Sequence, residues 1–149
     1  MIELRCLPHS VRTQLEASGS FPPFFISVSG WRMNGNVVFY SLKCGLQLED
    51  SAVCNEKSCR FSELLSFHEA MESVLQNSGA GLKFPGKSLF KSKDLGFIRN
   101  RLADLQSYFS KLTAIPNILR SPELQSFINY AQLKRAWDEN SSKYQCPLM

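Results

Sequence analysis

The chain has 149 residues, of which 44% are hydrophobic and 20% charged, with a formal net charge of +4. This is the composition of a single domain that folds around an ordinary apolar core. Its five cysteines are irregularly spaced and offer no second pair at zinc-ligand spacing, which argues against a zinc module and favours reduced thiols in the cytosol. No apolar run approaches the roughly 20 residues of a membrane span. Glu3 and Arg5 stand where the apolar core of a signal peptide would begin, so we expect a cytoplasmic protein with only peripheral membrane contact.

The first half of the chain has the pattern of β-strands. Residues 1–20 have weak periodicity and are predicted to be an N-terminal arm, with either a short helix or a loop. Asn34-Gly35 is a strong hairpin signal, Gly30 is a second turn signal, and Gly45 interrupts a strand in the manner of a β-bulge. The predicted strands are Phe24–Val28, Asn36–Leu42 and Val53–Arg60. Short turns between sequential strands predict an antiparallel meander.

At Ser62 the hydrophobic period changes to that of a helix. Ser62 is a predicted N-cap, and Glu63 lies favourably near the positive helix end. The apolar positions of this first helix are Leu64, Phe67, His68, Met71, Val74 and Leu75. Asp94 is a candidate cap for a second helix, and Ser121-Pro122 marks the start of another. The second helix carries Ile98, Leu102, Leu105, Phe109 and Leu112.

Strands followed by helices predict an α+β fold, with a three-stranded antiparallel β-sheet packed on a helical subdomain of three to four helices. The predicted domain spans residues 21–131, between the arm of residues 1–20 and a polar C-terminal tail of residues 132–149.

The positive charge is concentrated between the first two helices. From Lys83 to Arg101 there are six bases and one acid, and within this stretch Leu89 and Phe90 are flanked by Lys87 and Lys91. An apolar pair between lysines suits a membrane interface, where the side chains enter the headgroup region and the lysines meet anionic lipid. Leu89 and Phe90 are therefore a candidate membrane-insertion loop, and a solvated basic loop is the alternative.

Arg60-Phe61 stands at the predicted junction of strand and helix. A guanidinium offers a planar fork of donors that suits a phosphate, and the adjacent ring offers an apolar face for a sugar-like ring. An exposed arginine beside a core aromatic is the simpler explanation of these two residues alone.

Separated motifs resemble one family, the PX (phox homology) domain. Arg60-Phe61-Ser62-Glu63-Leu64 is similar to its Arg-Tyr-Ser-Glu-Phe element, and Phe84-Pro85-Gly86-Lys87 is similar to the end of its proline-rich loop. Residues 97–105 resemble its second helix, and the likeness continues through residues 121–127. The resemblance covers roughly residues 21–131 and implies the same fold as the periodicity does.

The resemblance also implies a function and the residues that perform it. PX domains bind phosphoinositides, most often phosphatidylinositol 3-phosphate on endosomal membranes, which implies a peripheral lipid-binding protein in protein transport. The resemblance further implies a binding module that needs no cofactor or metal and is not an enzyme. By the same resemblance, the headgroup-binding residues and their partners are Arg60 for the 3-phosphate, Phe61 for the inositol ring, Lys87 for the 1-phosphate and Arg101 for the 4- and 5-hydroxyls. Leu89 and Phe90 fall in the loop that enters the bilayer.

Departures from the family pattern keep alternatives open. Cys59 replaces the first of two bases that often precede the aromatic residue, and Pro85 is the only proline left in the loop before Lys87. These changes favour a PX-fold scaffold that binds protein partners and has weak or no lipid binding.

Two further alternatives are disfavoured by the residues themselves. An enzyme using Cys59 or Cys54 with His68 lacks an oxyanion motif, and a hydrogen-bonded core histidine explains His68 better. Nucleic-acid binding is disfavoured because the sequence shows neither the aromatic platform nor the broad basic face of such proteins.

Overall fold

The computed structural model describes residues 21–79, 81–86 and 95–143. A three-stranded antiparallel sheet of order β1-β2-β3 is formed by Phe24–Asn34, Val37–Gln47 and Ala52–Arg60. The described helices are α1 (Phe61–Ser78), α2 (Leu95–Thr113), α3 (Pro122–Ile128) and α4 (Tyr130–Lys143), with a 3-10 turn at Ile118–Arg120. This confirms the predicted α+β fold and its three to four helices. The predicted arm of residues 1–20, Lys87, Leu89, Phe90 and the cap at Asp94 lie outside the described residues.

The hairpin between β1 and β2 forms at the predicted place. Asn34 pairs with Val37 across a two-residue turn, and Gly35 adopts the left-handed backbone (φ 64°) that glycine tolerates without strain. The predicted turn at Gly30 is wrong, because β1 continues through it to Asn34. The register shifts between Val28 and Gly30, so one extra residue forms a β-bulge inside the strand.

Gly45 does not interrupt β2 and is not a bulge. It pairs with Phe25 on β1 and Cys54 on β3 in a continuous ladder. A Cβ at Gly45 would lie 2.6 Å from the Phe25 ring and 2.7 Å from the Val53 carbonyl oxygen. Glycine is therefore required here by the close approach of a neighbouring ring rather than by a break in the strand.

The core lies between one face of the sheet and the helices. The sheet contributes Ile26, Val28, Tyr40, Leu42, Cys44 and Leu46, and the helices contribute Leu64, Met71, Ile98, Leu105, Phe109, Leu112, Leu124 and Ile128. Phe67 stacks on Phe127 with ring centroids 4.0 Å apart, and Phe109 lies 6.1 Å from Phe127, so aromatic rings join α1, α2 and α3. The apolar stripes predicted from helical spacing are thus the buried faces.

Helix α3 is fixed at both ends. The Ser121 hydroxyl accepts a hydrogen bond from the Leu124 amide at 3.2 Å, which confirms the predicted start of this helix. At its other end, β3 supplies donors to the last carbonyl groups. Lys57 Nζ donates to Phe127 O at 2.8 Å, and Asn55 Nδ2 donates to Ile128 O at 3.0 Å. These bonds satisfy carbonyls that have no partner within the helix.

Helix α4 occupies most of the range predicted to be a polar tail. Its Leu133 and Trp137 are only 2% and 3% exposed, and the Trp137 indole N–H donates to Gln47 O at 2.9 Å. Lys134 and Asp138 pair one turn apart on its outer side at 2.7 Å. The helix packs on the sheet through these two buried apolar side chains, although most of its residues are polar.

Candidate functional site

The strand-to-helix junction orients the Arg60 side chain outward. Arg60 is the N-cap of α1 in an extended backbone conformation, and its backbone N–H donates to Glu63 Oε1 at 2.7 Å. The helix therefore begins at Phe61, and the predicted N-cap at Ser62 is wrong by two residues. The side chain of Arg60 is exposed and makes no ion pair with any described residue. Its guanidinium donors are thus available to a ligand.

Arg101 lies between two aromatic rings. It is a residue of α2 and only 8% exposed, with its guanidinium carbon 3.5 Å from the centroid of Phe61 and 4.4 Å from that of Phe97. Its Nη2 donates to Gly86 O at 3.2 Å. Cation–π contacts and this hydrogen bond offset part of the hydration that the buried charge has lost. The side chain is therefore held in place without a ligand.

Tyr40 completes the surroundings of Arg101. Its phenol lies close enough to the guanidinium for each group to influence the pKa of the other. Burial lowers the pKa of Arg101 from its ordinary value, and the neighbouring Tyr40 opposes that shift. Burial likewise raises the pKa of Tyr40, and the positive charge of Arg101 works against the rise. The ordinary pKa of an arginine is so far above neutral pH that Arg101 stays cationic despite this shift. The Tyr40 phenol stays neutral.

Arg60, Phe61 and Arg101 line one cleft of about 210 Å³. The remaining described walls come from Tyr40, Ser62 and the hairpin residues Asn36, Val37 and Val38, and no acidic residue is among them. Two cations in a described lining that contains no acid favour an anionic ligand there. We call this the head-group cleft.

The structure brings together three of the four predicted headgroup residues, Arg60, Phe61 and Arg101. The fourth, Lys87, and the predicted insertion residues Leu89 and Phe90 lie outside the described residues.

Sequence reasoning missed the neighbours that hold Arg101. Tyr40 and Phe97 were not singled out, although both belong to predicted elements. A signal existed for Tyr40, because the alternation of β2 places it on the buried face, opposite Cys59 and next to Arg60. For Phe97 the sequence offers only its spacing of four residues from Arg101 on one helix.

The Phe61 ring is less open than its predicted role as a surface for the inositol ring suggests. Arg101 covers one face of its ring, and Phe84 contacts the ring with a centroid distance of 5.3 Å and a tilt of 39°. A sugar ring stacked on Phe61 must therefore share the aromatic surface with the Arg101 guanidinium. This arrangement places the guanidinium donors beside any ring bound there.

His68 belongs to a packed aromatic cluster. Its Nδ1 lies 2.8 Å from the Tyr108 hydroxyl, and its ring stacks on Phe84 at 5.2 Å. Burial lowers the pKa of His68, while the charges of Glu72 and Glu69 oppose the shift. The half-buried, hydrogen-bonded histidine agrees with the structural role preferred from the sequence.

The two buried cysteines among the described residues, Cys44 and Cys59, offer little to thiol chemistry. Burial raises the pKa of Cys59 despite the nearby positive charge of Lys57, and it raises the pKa of Cys44 to about 11. Loss of hydration at Cys59 thus outweighs the positive charge nearby, so the pKa shift does not activate this thiol as a nucleophile. Within residues 21–79, 81–86 and 95–143, no three metal-ligating side chains gather in one place.

Comparison with known proteins identifies the family. The family model of the PX domain matches residues 51–131, which is more than half of the chain. The chain therefore belongs to the PX domain family, whose members generally bind phosphoinositides on membranes. No helix within the described residues is long and apolar enough to cross a bilayer.

Two solved structures share the fold. The mouse SNX19 PX domain with bound sulphate ion is 23% identical at a TM-score of 0.54, covering 70% of this chain and 93% of that one. A designed CISK-PX domain is 20% identical at a TM-score of 0.52, covering 69% of this chain and 96% of that one. No curated protein sequence matches this chain significantly.

Proposed function

We propose that the head-group cleft binds phosphatidylinositol 3-phosphate and recruits the protein to endosomal membranes. The observation that carries this proposal is the convergence of Arg60 and Arg101, from separate elements, on a cleft whose described lining has no acid. Two cations held close together repel each other unless an anion lies between them. A phosphorylated sugar ring supplies that anion and also a surface for Phe61.

The two arginines suit different parts of the ligand. Arg60 is exposed, and its free fork of donors fits the doubly charged 3-phosphate in a bidentate contact. Arg101 is already fixed by Phe61, Phe97 and Gly86, so donating to ring hydroxyls costs it little further side-chain entropy. We assign the 3-phosphate to Arg60 and the 4- and 5-hydroxyls to Arg101.

The basic loop contributes membrane affinity in this proposal. Lys87 is assigned to the 1-phosphate, and Leu89 and Phe90 to the bilayer interface. Burying two large apolar side chains contributes about 1.5–3 kcal/mol each. Each lysine near an anionic surface adds about 1 kcal/mol. That sum supports reversible docking, and the specific lipid selects the membrane.

The test is liposome co-sedimentation of the full chain. Liposomes contain phosphatidylcholine alone, or with phosphatidylinositol, phosphatidylinositol 3-phosphate or phosphatidylinositol 4-phosphate. We expect sedimentation only with the 3-phosphate and its loss in Arg60→Ala. Arg135→Ala, which removes an exposed charge of α4 outside the cleft lining, should sediment like the wild type. Equal binding to both monophosphates would reject the assigned selectivity.

A PX-fold scaffold with weak or no lipid binding is the second candidate. The observation in its favour is the position of Arg101, which covers part of the Phe61 surface that an inositol ring would use. A correctly folded wild type that sediments with none of the liposomes would favour this scaffold and reject the lipid proposal.

A further inference from the structure

A second cavity shares no lining residue with the head-group cleft. It is a groove of about 560 Å³ between the segment Gly81–Gly86 and one face of α2. Ligand-binding cavities commonly measure roughly 300–1,000 Å³, so this groove is large enough to hold several side chains of a partner. None of Arg60, Phe61 and Arg101 lines it. We call it the α2 groove.

The floor of the α2 groove is apolar and already formed. Leu82, Phe84, Pro85 and Ile115 line it, and all four are half-buried. Phe84 is fixed by an edge-on contact with Tyr108 at 4.9 Å between ring centroids, as well as by the stacked His68. A floor that is fixed before binding spares a ligand the cost of ordering it.

The rim of the α2 groove carries more positive than negative charge. Lys83 and Lys111 are exposed on opposite walls, and neither forms an ion pair with a described residue. Asp104 is the one acid in the lining, and its charge also acts on the nearby Arg101. Two free lysines against one partly compensated carboxylate favour an anionic partner.

One wall of the groove presents backbone groups. The segment Gly81–Gly86 is neither helix nor strand, and no hydrogen bond links the backbone of Leu82, Lys83 or Phe84 to another described residue. Such groups are available to an extended chain lying alongside, as in peptides that add to a free strand edge.

We propose that the α2 groove binds a short acidic peptide segment of a partner protein. The peptide lies extended along Gly81–Gly86 and inserts one large apolar side chain over Phe84 and Ile115. Its carboxylates meet Lys83 and Lys111, and its backbone pairs with the free backbone groups of the wall. This second binding function does not depend on what occupies the head-group cleft.

The test is fluorescence anisotropy with the full chain and labelled seven-residue peptides. The probe has glutamates on both sides of a central leucine. One control peptide has glycine in place of the leucine, and another has glutamines in place of the glutamates. We expect saturable binding of the probe and at least roughly threefold weaker binding of each control, because charge and burial each contribute.

Two exposed variants on α2 locate the binding. Lys111→Glu reverses a rim charge and should weaken the probe roughly three- to tenfold, and Ser107→Trp should fill the groove and abolish saturable binding. Lys43→Glu makes the same charge reversal on β2 outside the groove lining and should bind like the wild type, as should Arg60→Ala. Circular dichroism verifies that each variant folds.

Several outcomes would overturn the proposal. The first is that the probe shows no saturable binding, and the second is that the glycine control binds equally well. The third is that Arg60→Ala loses binding of the probe while Lys111→Glu binds it normally, which would place the peptide in the head-group cleft. Sedimentation with phosphatidylserine liposomes that disappears in Lys111→Glu, in the absence of peptide binding, would assign the groove to lipid instead.

Discussion

The replacement Arg101→Met separates ligand binding from folding at the head-group cleft. Methionine is unbranched, similar in length and polarisable, so it can occupy the space between Phe61 and Phe97. It removes the positive charge and all guanidinium donors. We expect the variant to fold with nearly unchanged stability and to bind phosphatidylinositol 3-phosphate much more weakly.

The expected magnitudes follow from the contacts of Arg101. On folding, the variant loses two cation–π contacts of about 0.5–2 kcal/mol each and one charged hydrogen bond of about 1.5–3 kcal/mol. It also escapes the cost of burying a charge that is only 8% exposed, a cost of several kcal/mol. These terms nearly cancel, so the free energy of unfolding should change by about 1 kcal/mol or less. Binding loses one charged contact without compensation, which corresponds to roughly 10- to 150-fold in affinity.

The assay pairs urea unfolding with calorimetric titration of a soluble short-chain phosphatidylinositol 3-phosphate. Arg99→Met, an exposed position on the same helix outside the cleft lining, is the matched control and should change neither quantity. Wild-type affinity in Arg101→Met would refute the role assigned to this guanidinium. A loss of stability well beyond 1 kcal/mol would refute the near cancellation of its burial cost.

Three further predictions test the fold. Gly45→Ala places a methyl group 2.6 Å from a neighbouring ring and should lower the free energy of unfolding by about 1–3 kcal/mol, whereas Gly30→Ala, with open space around it, should cost less in the same urea titration. Trp137→Ala should cost about 3–5 kcal/mol, against less than about 0.5 for Arg135→Ala, and equal stability of the two would mean that α4 is not bound to the domain. Because burial holds the pKa of His68 below its ordinary 6.5, its contribution to stability is present above that pH and is lost as pH falls through the folded pKa. Urea midpoints at pH 7.5 and 5.5 should therefore differ more in the wild type than in His68→Gln, and an equal difference would contradict this assignment.

The order of elements and the position of Arg60 could be predicted because their signals are local. The hairpin signal at Asn34-Gly35 and the helical spacing of the apolar residues each depend on a few neighbouring positions. Arg60 was placed correctly for the same reason, since it ends a strand and precedes a helical pattern.

The errors arose where distant contacts decide the local structure. Gly45 was interpreted as a break, but its neighbour across the sheet, Phe25, explains the glycine. Gly30 was interpreted as a turn, and only the pairing register reveals the bulge that lets the strand continue. The burial of Trp137 depends on an acceptor 90 residues earlier in the sequence, which no pattern within α4 indicates.

The environment of Arg101 is also decided by contacts between residues far apart in the sequence. Arg101 is not a member of the apolar stripe predicted on its helix, yet Phe61, Phe97 and Tyr40 come from three elements and bury it. Sequence distance conceals such a cluster, because each member has an independent explanation as a core aromatic.

Backbone amide shift mapping with soluble phosphatidylinositol 3-phosphate tests the central claim most directly. The account predicts saturable shifts at residues 60–62 and at Arg101 that disappear in Arg60→Ala and persist in Arg135→Ala. Shifts confined to the α2 groove around Lys83 and Lys111, or none that saturate in a folded protein, would contradict the assignment of the head-group cleft.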